Sequence, residues 1–222
     1  MGARIQHIGG QLWRHAPFTA WGTLSGIAMV VFALFVDVPY MAWETLFWIT
    51  HPVHVMLSAL VTAAVYRLHS RGGVCKTIII GYLGSVGIAT ISDSLIPFAG
   101  EWLLDLPNRV VHLGFIERWW LVNPLASAGI GIAFVWPHTQ VSHAGHVFLS
   151  TWASLLHFTM ALGDSVNLAA VGAITIFLFL AVWLPCCTSD IVLPLLFARQ
   201  DESAVRSSRA EERRREDTRC HV

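Results

Sequence analysis

The chain has 222 residues, of which 55% are hydrophobic and only 13% charged, and 14 Lys and Arg balance 14 Asp and Glu. That composition excludes an ordinary soluble domain, and the even charge gives no basic footprint for nucleic acid. Four cysteines set no disulfide framework, because Cys186 and Cys187 are adjacent while Cys75 and Cys220 lie at or beyond the ends of apolar segments.

In chain order, residues 1–18 form a lead-in with Arg4 and Arg14 but no short apolar core followed by a cleavage site, so no signal peptide is expected. Six apolar segments follow, at about 19–36, 44–66, 75–97, 120–136, 142–162 and 169–197. A helix needs roughly 20 such residues to cross a bilayer. The expected fold class is therefore all-α, a polytopic membrane protein with six transmembrane helices. Residues 99–118 read as an outer connector, an amphipathic link rather than a cover, anchored by Trp102, with Trp119 and Trp120 just beyond it. Residues 199–222 are a charged cytoplasmic tail of mixed Arg and Glu runs.

Cationic residues are placed unevenly. Arg4, Arg14, Arg67, Arg71, Lys76 and the seven arginines of the tail fall on one side of the expected membrane, against Arg109 and Arg118 on the other. The positive-inside rule then puts both termini in the cytoplasm, with the chain in the inner (plasma) membrane.

Two phrases occur twice. Thr50-His51-Pro52-Val53-His54 is echoed by Ser142-His143-Ala144-Gly145-His146, and Ile91-Ser92-Asp93 with Pro97 by Thr188-Ser189-Asp190 with Pro194. The first halves of the two units also share Gly26-Ile27-Ala28 and Gly131-Ile132-Ala133. The chain thus divides into repeat 1 (19–98) and repeat 2 (119–198), three spans each. A repeat with an odd number of spans inserts its second copy upside down, the inverted arrangement common in secondary transporters.

The duplicated letters carry the chemistry. Histidines at i and i+3 share a helix face, so His51 with His54, and His143 with His146, can each offer two imidazoles to one ion. Asp93 and Asp190 supply carboxylates. Four imidazoles and two carboxylates suit a first-row divalent ion, and ionisable groups inside a membrane span are functional candidates by default. The same duplication is compatible with histidine–aspartate pairs that lock the halves together or relay protons. Ser58, Thr62, Ser150 and Ser154 continue the two histidine stripes and read as packing hydroxyls. Pro97 and Pro194 each follow an aspartate by four residues and predict a kink there. Cys186 and Cys187 read as a buried apolar pair, with soft-metal ligation as the alternative. Glu44 lies on the face of His51, His157 has no counterpart in the first repeat, and His69 and His112 are expected to be exposed near span ends.

The run Pro185-Cys186-Cys187-Thr188-Ser189-Asp190, ending in Pro194, loosely resembles the cysteine-rich broken-helix motif of ArsP-type heavy-metal permeases. The twice-repeated acidic layout is similar to that of small LysE-type exporters. The first resemblance covers about a dozen residues and implies a class of protein, with no residue role carried over.

The expectation is an integral membrane transporter, an exporter, of a divalent transition-metal ion held by His51, His54, Asp93, His143, His146 and Asp190. No nucleotide-binding motif is present, so an ion gradient or a partner subunit would drive it. The expected partners are the metal and the lipid bilayer, without nucleic acid, and a homodimer is compatible with the layout. No catalytic residue is expected. The alternatives are an intramembrane metal-dependent enzyme and a haem-binding electron-transfer protein, the latter because His143 and His157 lie 14 residues apart on one helix.

Overall fold

Long apolar runs leave backbone groups no partner but their own helix, and every element among the described residues of the computed structural model is helical. The structure describes residues 20–29, 38–70, 73–137 and 140–162, shorter stretches at 174–175, 177–179, 185–186 and 192–198, and single positions at 17, 31, 36, 172 and 182; for 140–144 it describes the backbone.

Residues 20–29 are helical (α1). Helix α2 is Tyr40–His69, and α3 runs Val74–Leu103 with two π turns, Leu83–Gly87 and Ile91–Leu95. A short α4 (Gly114–Glu117) leads into α5 (Trp119–Val135) and then α6 (Gln140–Leu162). Helices α2 and α3, each 30 residues, are long and apolar enough to cross a membrane, and α5 is apolar but shorter. Their ranges cover the second and third expected spans, and α5 and α6 match the fourth and fifth.

Helix α2 is the central element. Its Ala59, Ala63 and Ala64 pack on Ile130 and Ala133 of α5, while Trp43, Phe47 and Trp48 pack on Ala153, Leu156 and Met160 of α6. Small residues set the closeness of these contacts. A Cβ on Gly129 would lie 2.1 Å from the Met56 carbonyl oxygen, so α5 approaches α2 backbone to side-chain-free backbone there. The repeated phrase is not reused in this role: Gly26 abuts Leu155, but Gly131 faces open space. At the C-terminal end of α5, Arg67 donates to the Ala133 carbonyl at 2.8 Å and lies over the Phe134 ring. A cation there complements the helix dipole.

The order of contacts fixes relative direction. His54 of α2 meets His146 of α6, whereas Phe47, earlier in α2, meets His157, later in α6. The two HxxH helices therefore run antiparallel. Along α3 and α6 the pairs ascend together, Ser92 with Ser150 and Glu101 with His157, so those helices are parallel.

The kink expected at Asp93 takes a particular form. Pro97 lacks an N–H and would clash with the carbonyl four residues earlier. The ladder instead widens across Ile91–Leu95, where the Ile96 N–H bonds to Ile91 O, five residues back. The helix then continues through Pro97 to Leu103. The π turn swings Ser92, Asp93 and Ser94 inward, and all three are buried; such turns recur at functional sites.

Beyond α3 the chain reverses sharply. Leu106 N–H bonds to Glu101 O and Asp105 N–H to Trp102 O, with Asp105 at φ 53°. This is a Schellman-type end with aspartate in the left-handed position. The connector then folds back over the bundle: Leu106 is buried among Leu155, Phe158 and Leu162, and Asn108 N–H bonds to Ala161 O. Residues 99–118, expected as an amphipathic link, thus pack in part onto the helices, with Leu106 buried and Trp102 and Val110 exposed.

Candidate metal centre

Helix α2 places His51 and His54 one turn apart on one face, with Pro52 between them inside the helix. Both turn Nδ1 towards Asp93 on the π turn of α3. His51 Nδ1 lies 2.9 Å and His54 Nδ1 2.7 Å from the same oxygen, Asp93 Oδ2. The other oxygen, Oδ1, accepts from Ser92 Oγ at 2.7 Å and Ser150 Oγ at 2.8 Å. All five residues are at most 2% exposed. Four donors thus occupy the roughly four acceptor positions that a carboxylate offers. This saturation is what a buried negative charge requires. Neutral imidazoles carrying their proton on Nδ1 suffice for it, which assigns the tautomer from the network.

Aromatic contacts hold the two imidazoles. The His51 ring stacks on Phe47 at 5.4 Å and 7°, and His54 stacks on His146 of α6 at 5.7 Å and 11°. Gly114, at the start of α4, closes over His51; a Cβ there would sit 2.5 Å from Nε2. Cys186 is buried and its thiol donates to Ser150 Oγ at 3.4 Å. Two triads could hold a metal ion: His51, His54 and Asp93 in one, and His54, His146 and Cys186 in the other, each with one ligand atom per residue and all within 4.8 Å. His54 belongs to both.

Of the six expected ligands, His51, His54, Asp93 and His146 come together. His143 lies on α6, but its side chain, like Asp190 and Cys187, is outside the described residues. Ser150, read from the sequence as a packing hydroxyl, instead binds Asp93. Its signal was its place one turn beyond His146 on the polar stripe. Ser154 does pack as expected, donating to Ser150 O and Ser92 O, and Ser58 and Thr62 are buried. Glu44 stays outside the centre, in a surface groove with Thr45, Arg118 and Trp120.

His69 is exposed, as expected, and pairs with the Val65 carbonyl of its own helix. His112 is not exposed. The folded-back connector buries it, with Ser94 Oγ donating to its carbonyl. Glu101 belongs to no repeated phrase, and its one sequence signal is its place as an acid two turns beyond Asp93 on the same apolar helix. It is fully buried against His157.

No protein-family model, curated protein or solved structure matches this chain.

Proposed function

We propose that this chain is an integral membrane transporter, working as an exporter, for a divalent transition-metal ion, with six membrane helices in two inverted repeats. One observation carries the reading: the two HxxH motifs meet beside a single buried carboxylate, His54 being stacked on His146 and hydrogen-bonded to Asp93. The antiparallel course of α2 and α6 supports the inverted relation, which any alternating bundle would also permit for its second and fifth spans. In this reading His51, His54 and His146 supply nitrogen ligands, Cys186 a thiolate, and Asp93 the compensating charge. Asp93 also orients His54 through Nδ1, which leaves Nε2 for the triad with His146 and Cys186. Carboxylates that orient a ligating imidazole in this way raise its basicity and fix its ring. The side chains of His143 and Asp190, outside the described residues, are the ligands this reading expects from the second repeat. Protonation of imidazole and carboxylate releases metal, so exchange of metal for protons follows naturally from this donor set.

The test is metal analysis of the purified protein together with metal tolerance of cells that express it. The variants are His54→Ala with His146→Ala, Asp93→Asn and Cys186→Ser. Loss of bound zinc and of tolerance in the first two is the expected result. Metal content and tolerance unchanged in all three would refute the transporter reading.

A further inference from the structure

A second buried ionisable cluster lies beside the Asp93 centre. Glu101 Oε1 accepts from His157 Nδ1 at 2.6 Å, and neither Glu101 Oε2 nor His157 Nε2 has a hydrogen-bond partner among the described residues. The His157 ring meets that of His112 edge to face at 5.3 Å, and His112 Nδ1 in turn bonds to Glu117 Oε2 at 3.2 Å. Side-chain exposure falls along this series, from 39% at Glu117 through 11% at His112 to 1% at His157 and none at Glu101. Phe47 touches the rings of His51, His112 and His157, so it separates this cluster from the Asp93 centre.

Buried polar atoms are normally satisfied, and the exceptions call for a ligand, a water or a proton. A transition metal suits this place poorly. Among the described residues no third His, Cys or carboxylate joins Glu101 and His157 in a group of ligand size. Two facing groups, an acid and a base, suit a proton.

We propose that Glu101 and His157 form a proton-binding site, reached from the surface by way of Glu117 and His112. Unloaded, the Glu101 carboxylate accepts from the Nδ1–H of a neutral His157, and the pair carries one buried negative charge. Loading forms an N–H bond at His157 Nε2, breaks the one at Nδ1 and forms an O–H bond on Glu101. Imidazole ends in its other tautomer, Glu101 is neutral, and the buried charge is gone. The titratable and charged groups around the pair are His112 from the connector, Glu117 from α4, His51 beyond Phe47 on α2, and Arg118, whose guanidinium lies over Trp48. The role of this site in coupling rests on the transporter reading; its existence does not.

Infrared pH-difference spectra of the metal-free, full-length protein in lipid nanodiscs test it. A carboxyl band that titrates in the wild type, vanishes in Glu101→Gln and shifts its midpoint in His157→Gln is the expected result. A titrating spectrum that neither substitution alters overturns the proposal. If Glu101→Gln does not fold, isotopically labelled glutamate in the wild type assigns the band, and its absence from the labelled set is equally fatal. Zinc binding is measured in parallel and should be retained in both variants. A wild type that binds none of zinc, manganese, iron, cobalt and nickel overturns the transporter reading, while the infrared result still decides the proton site.

Discussion

Replacing Asp93 by Asn removes the charge at the centre of the bundle while keeping nearly the same volume, and the structure sets how much that should cost. Four donors converge on the carboxylate at 2.7–2.9 Å. A hydrogen bond to a charged group contributes about 1.5–3 kcal/mol and a neutral one about 0.5–1.5. Asn keeps one acceptor oxygen, whose two bonds weaken by about 1 kcal/mol each. Its NH2 cannot accept, so the other two must reverse or be lost. The lifted cost of burying a charge offsets part of this. We expect a net loss of about 1–3 kcal/mol. A double-mutant cycle with His54→Phe isolates the His54–Asp93 term, since Phe keeps the stack on His146 but lacks the donor. Side-chain pairs inside membranes reach about 1.7 kcal/mol at most in such cycles. The short, charge-assisted 2.7 Å contact belongs at that upper end, so the coupling should be about 1.5 kcal/mol. Reversible unfolding in mixed detergent micelles, followed by circular dichroism, supplies the four stabilities. A coupling below about 0.5 kcal/mol, the scatter expected of unconnected sites, would refute the geometry argued for Asp93. The same cycle with the exposed His69 in place of His54 should be additive.

Two glycine predictions probe the packing that holds the centre. Gly129→Ala should destabilise by about 1–3 kcal/mol, because the new methyl meets backbone of α2 and the helices must part. Gly131→Ala, which meets nothing, should be neutral or stabilising by up to about 1 kcal/mol through helix propensity. Thermal unfolding midpoints in the reverse order would contradict the packing of α5 on α2. Gly114→Ala places a methyl against His51 Nε2, and His51 cannot retreat because Phe47 and Asp93 hold it. Zinc affinity should fall about 10–100-fold, the range for disturbed ligand orientation. Equal affinity by isothermal titration would show that His51 takes no part in binding.

The local elements and the identity of the main candidates were legible in the sequence because both rest on short-range physics. Apolar runs of helical length favour helices, and α2, α5 and α6 fall within a few residues of their expected ranges, while α3 starts where expected and runs on past 97 to Leu103. His51, His54, Asp93 and His146 stood out because an ionisable group in an apolar run is costly whatever its neighbours. Pro97 foretold a disturbed ladder at Asp93, though not that the disturbance would be a π turn carrying Ser92, Asp93 and Ser94 inward.

Partners across the bundle were another matter, since they depend on the register of one helix against the next. That register follows from close approaches such as Gly129 on Met56 and Gly81 on Ala63, which no periodicity encodes. It decided that Ser150 binds Asp93 rather than merely packing, that Cys186 arrives beside His54 and His146, and that the connector folds back to bury His112. It also made Glu101 and His157 a pair, though they lie 56 residues apart and on different helices. The sequence by itself determined which groups would be expensive to bury. Only the tertiary structure decided how that expense is offset, because a buried charge is satisfied by whichever donors the packing brings within hydrogen-bond reach.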